Sequence, residues 1–112
     1  MLVTFLQVCL VDSKMSKLTA FIVCTLVFLL AFGGTVYMHE QVHINICNYF
    51  GAETDGVIHF DIYKAWVEIE HLENPQYLLA HSINDVVGYH VNGILIMLYL
   101  ICLTIIAKGE EK

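Results

Sequence analysis

Residues 39–43 read His-Glu-Gln-Val-His. Two histidines four residues apart lie one turn apart on one helical face, so both imidazoles can bind a single metal ion. The glutamate directly after the first histidine then stands beside the ion's open coordination position, where a carboxylate can take a proton from water. The pattern predicts metal-assisted hydrolysis, with His39 and His43 as ligands, Glu40 as general base and zinc as the ion.

A catalytic zinc site takes three protein ligands and keeps a fourth position open. The segment 80–90, AHSINDVVGYH, offers the third ligand. At 100° per residue, His81, Asp85, Gly88, Tyr89 and Asn92 fall on one stripe of a helix, with Asn84 and His90 pointing elsewhere. Asp85 is the only carboxylate on that stripe, and its closeness to an apolar run calls for a charged partner. A metal facing it would supply one; headgroup water or His81 would be the ordinary alternatives. His81 has three readings open to it: third ligand, partner of Asp85, or catalytic donor to a transition-state oxyanion, a role Tyr89 could fill from the other side. Cys47, one turn after His43, points broadly to the same side. It reads as a buried structural cysteine, with thiolate ligation the less ordinary option. His59 and His71 read as surface residues without a role.

At His39-Glu40-Gln41-Val42-His43 the chain resembles the zincin metallopeptidases. Asn84-Asp85 also looks like the Asn-Glu pair that the gluzincin group places on its second helix, with aspartate for glutamate. The resemblance implies His39, His43 and Asp85 as zinc ligands and Glu40 as base. Membrane zinc proteases of the site-2 type similarly put H-E-x-x-H on a membrane helix and use a later aspartate as ligand. They usually carry glycine where Val42 stands. The substrate-binding strand that zincins place ahead of the motif helix has no counterpart here, since the strand-like residues follow the motif.

The elements that must position these groups are mostly apolar. Hydrophobic residues make up 58% of the 112 and charged residues only 14%, against about a quarter charged in soluble domains. The excess lies in two runs. Residues 18–38 are 21 in succession without a charge, and 91–107 are 17. A hydrocarbon core of about 30 Å needs about 20 helical residues, so both runs read as transmembrane helices. Ala31-Phe32-Gly33 would also suit a signal-peptide cleavage site, but the apolar stretch continues to Met38, longer than a signal core needs. Gly33, Gly34, Gly88 and Gly93 would let two such helices approach closely.

The first helix is expected to continue through the histidine motif and stop near Gly51, and the second to begin at Asn74-Pro75, cap and first position, and run to about 107. Between them, Ile58, Phe60 and Ile62 alternate with polar residues, as do Ala65, Val67 and Ile69. This predicts a hairpin over about 57–70, its apolar face with Ile58, Phe60 and Ile62 turned onto the helices. The expected fold is thus a mainly α membrane protein. Two long antiparallel transmembrane helices are joined by an extramembrane loop with a small β-hairpin. Residues 15–112 form one two-helix domain, and residues 1–14 are an upstream extension or a disordered tail.

Lys14, Lys17, Lys108 and Lys112 flank the outer ends of the two runs, with only Lys64 between them. The positive-inside rule puts both termini in the cytoplasm and 39–90 outside. All six histidines and eight of the eleven acids fall in that segment. The net charge of −6, without a single arginine, excludes a phosphate-binding surface and hence nucleic acid. No two cysteines form a C-x-x-C pair, so neither a disulfide framework nor a zinc ribbon is suggested. The expected function is a membrane-embedded zinc metallopeptidase that cleaves a peptide or membrane-protein substrate at the bilayer surface. The alternative is a non-catalytic membrane protein whose helices and metal site serve structure, sensing or complex assembly. Either reading leaves room for homo- or hetero-oligomers.

Overall fold

The computed structural model describes residues 15–109; the expected tail of 1–14 lies outside them. Two helices, α1 (Lys17–Phe50) and α2 (Pro75–Lys108), enclose two short strands in sequence, β1 (His59–Phe60) and β2 (Ala65–Trp66). The chain divides into two compact units, one of residues up to Phe32 with those from Gly93, the other Gly33–Asn92.

Each helix end has a local cause. Ser16 caps α1: its Oγ accepts from Thr19 N at 3.2 Å, and its carbonyl from Ala20 N at 2.9 Å. Gly51, at φ 70°, ends α1 in the left-handed conformation that glycine adopts without strain. Around it Ala52 N donates to Cys47 O and Gly51 N to Asn48 O, the paired bonds that satisfy the last carbonyls of a helix. Ala52 and Cys47 are buried there with Tyr77, with Ile46, Phe50 and Leu72 packed around them. Asn74 caps α2, its Oδ1 accepting from Gln76 N and Tyr77 N, and Pro75 follows as the first helical residue.

In the unit of the chain ends the two helices run antiparallel. Thr25 and Tyr99 share a hydroxyl hydrogen bond of 2.8 Å, Phe28 stacks on Tyr99 at 4.3 Å, and Lys17 Nζ donates to Ala107 O. Leu18, Leu26, Leu29 and Leu30 of α1 and Ile94, Met97 and Leu100 of α2 stay exposed. Both helices are long and apolar enough to cross a membrane, and only 6% of the most apolar window of each is buried.

In the Gly33–Asn92 unit the helices again run antiparallel, bonded from Thr35 Oγ1 to Asn92 Oδ1 at 3.0 Å. Of the four glycines expected to admit close approach, only Gly88 does so. A Cβ there would lie 2.5 Å from His39 Nδ1, whereas one at Gly33, Gly34 or Gly93 would meet nothing within 4 Å.

The hairpin is present but smaller than the alternation predicts. His59 pairs with Trp66 and Phe60 with Ala65, and Asp61 N donates to Lys64 O to close the turn. The ladder resumes at Thr54–Ile69 after an irregular stretch through Gly56, which stands at φ 67°. Its expected inward face is not buried: Phe60 is 63% and Ile62 87% exposed. Alternation fixes which side chains share a face, not whether anything covers it. Two-residue strands also present too little surface to hold a hairpin down.

Candidate metal centre

His39 and His43 stand on α1 and Asp85 on α2, and the structure brings the three together. The facing atoms are His39 Nε2, His43 Nε2 and Asp85 Oδ1. They form a nearly equilateral triangle, 3.2 Å between the two nitrogens, 3.1 Å from His43 to the carboxylate and 3.3 Å from His39 to it. Tetrahedral zinc with bonds of 2.0–2.1 Å sets its ligand atoms about 3.3–3.4 Å apart, so the triangle has the size of one tetrahedral face. The two imidazoles meet edge to face, with planes at 90° and centroids 4.7 Å apart.

Support comes from α2. Asn84 Nδ2 donates to the His39 carbonyl at 3.0 Å, tying the start of the motif to the neighbouring helix. Gly88 leaves the space into which the His39 ring fits. The Asp85 side chain is 49% exposed, against 22% for His39 and 13% for His43, so the cluster opens to its surroundings on the Asp85 side.

Glu40 is 92% removed from solvent, with 8% exposed. Burial raises its carboxyl above the ordinary range, opposed by the nearby His39 and assisted by Asp85. Both neighbours being close enough to act on it puts Glu40 within electrostatic reach of the triangle. Burial lowers His43 as well, reinforced by His39 and opposed by Asp85, and it lowers His81 against the pull of Asp85. The neutral form these shifts favour is the one whose lone pair can bind a metal.

His81 is not among the three converging residues and meets the cluster through His43. It is buried at 8% exposure, and its Nδ1 lies 2.6 Å from Nδ1 of His43. It therefore meets His43 at the nitrogen opposite the triangle, and its Nε2 is buried with no partner. Tyr89, the other oxyanion candidate, is 78% exposed. Asn84, expected to point elsewhere, is in contact. Cys47 lies against the Tyr77 hydroxyl at 3.5 Å, a buried structural cysteine.

Tyr77 is the member that sequence reasoning passed over. Its hydroxyl donates to Glu70 O at 2.5 Å, its ring stands edge-on to His81 at 4.5 Å, and burial pushes its pKa up to about 12. The available signal was its position one turn before His81. No family model matches the chain, and no curated protein or solved structure does so either.

Proposed function

We propose that the protein is an integral membrane zinc metallopeptidase that hydrolyses a peptide bond at the bilayer surface. The triangle of His39 Nε2, His43 Nε2 and Asp85 Oδ1, with edges of 3.1–3.3 Å, carries the reading. Bound there, zinc would polarise the scissile carbonyl and make a water acidic enough to attack it. Glu40 takes the proton of that water and passes it to the leaving amine. A carboxyl raised by burial is suited to both steps, because its proton affinity sits closer to neutrality. A purely structural zinc site needs no base and closes its fourth position; the buried Glu40 and the half-exposed Asp85 favour catalysis. Lysines at the outer helix ends put both termini in the cytoplasm and the centre outside. The uncovered apolar surface of the helices is what lipid would cover.

One observation favours the non-catalytic alternative: Phe60 and Ile62 face outward, open to a partner chain. Glu40→Gln separates the two readings, since it removes the base and keeps every ligand. Zinc per chain should be unchanged while cleavage of a peptide library in liposomes is lost; His43→Ala should lose both. A wild-type protein that binds zinc and cleaves nothing would leave only the alternative.

A further inference from the structure

A neutral imidazole carries one proton, on one of its two nitrogens. If Nε2 of His43 binds a metal, the proton must sit on Nδ1, 2.6 Å from Nδ1 of His81. One of these two nitrogens donates and the other accepts. With the proton assigned to His43, the His81 Nδ1 must be bare and its own proton must lie on Nε2. The ring geometry suits that bond. The centroids are 4.8 Å apart and the planes 22° from parallel. Rings stacked face to face at that spacing could not bring two nitrogens to 2.6 Å, so the imidazoles lie edge to edge. The bond then runs close to both ring planes, along which N–H groups and lone pairs point.

The acceptor is itself held. The Tyr77 ring packs edge-on against His81, at 83° to it, and the Tyr77 hydroxyl is anchored on Glu70 O beside Cys47. The Nε2–H that this arrangement requires of His81 is buried and unpartnered. An unpaired buried donor is unfavourable, so packing alone does not account for a histidine at this position.

We infer that His81 is the positioning residue of the centre: its bare Nδ1 accepts from His43 and holds that imidazole in the tautomer that presents Nε2 to the metal. This rests on the metal-centre reading above. Metal-bound histidines ordinarily donate to a carboxylate, a carbonyl or water; here a second, neutral imidazole takes that place and adds no charge behind the ligand.

The test is zinc affinity, read by competition with a chromophoric chelator on the full chain in detergent, for wild type and three variants. His81→Asn puts an amide oxygen close to where Nδ1 stood. His81→Gln carries its oxygen one bond further out, and His81→Leu has no acceptor. The expected order is near-wild-type affinity for Asn, with Gln and Leu weaker by about 10–100-fold, the usual cost of losing a partner behind a ligand. Should Leu fail to fold by circular dichroism, the Asn–Gln pair decides. Equal loss in Asn and Gln, or wild-type affinity in Leu or Gln, overturns the role of His81. If wild type holds zinc and His43→Ala releases it while His81→Leu does not, only this role falls; if wild type holds no zinc, the metal centre falls with it.

Discussion

The same two helices are joined in two different ways. The described contacts of the chain-end unit include a shared hydroxyl bond, an aromatic stack and a lysine on a carbonyl, amid exposed apolar side chains. In the Gly33–Asn92 unit the helices face each other through three imidazoles, a carboxylate and two carboxamides. An apolar pairing tolerates exchange of one side chain for another of similar volume. A converging set of nitrogens and oxygens does not, because each lone pair needs something positive to point at. Converging polar groups are thus what set this unit's helix pairing apart from that of the chain ends.

This contrast breaks first at the ligands. Asp85→Ala should match His43→Ala in leaving gel-filtered protein almost free of zinc. A modest loss of about 10–100-fold for Asp85→Ala would instead place the carboxylate behind a ligand. Next comes Gly88→Ala, whose new methyl would stand 2.5 Å from His39 Nδ1 and push the ring out of line. It should weaken zinc about 10-fold or more, comparable to losing a supporting contact. Gly93→Ala, with open space around it, should leave zinc untouched and stabilise α2 by up to about 1 kcal/mol; equal zinc affinity in the two alanine variants would show that His39 does not depend on this seat.

Smaller effects belong to the chain-end unit and the hairpin. Tyr99→Phe removes the bond to Thr25 and should cost about 0.6 kcal/mol in a reversible unfolding assay, with zinc affinity unchanged. A change in zinc affinity there would mean the two kinds of contact are not independent. Smallest of all, Ile62→Ser at the exposed turn should stay within about 0.5 kcal/mol of wild type. A larger loss would mean the turn is covered by something in the folded protein.

Much of this was legible in the residues. Charge-free runs, Gly51 and Asn74-Pro75 mark helices that the structure places at Lys17–Phe50 and Pro75–Lys108. The i, i+4 histidines and the lone carboxylate of the second stripe lead to the three atoms that converge. Tyr89 and Asn84 were misplaced for one geometric reason. Repeated steps of four drift about 40° each around a helix. A stripe drawn through 81, 85 and 89 therefore carries Tyr89 off the contact line, which passes through Tyr77, His81, Asn84, Asp85, Gly88 and Asn92. From Tyr77 that line takes steps of four, three, four and four through His81, Asn84, Gly88 and Asn92, which keeps it on one face of the helix. The bond between His43 and His81 was out of reach, because spacing puts residues on a face and does not orient a ring.

On the proposed reading, the length of α1 bears on how a substrate would arrive. Its 34 residues span about 51 Å at 1.5 Å each, well beyond a hydrocarbon core of about 30 Å. His39 is 22 positions after Lys17, and a helical stretch of that many residues is enough to cross such a core. In a bilayer whose core begins beside Lys17, the motif emerges where the acyl chains give way to headgroups. A polypeptide already anchored in the same bilayer would meet this depth by lateral diffusion alone. Its search is confined to two dimensions, and its local concentration is set by the membrane and not by the surrounding solution.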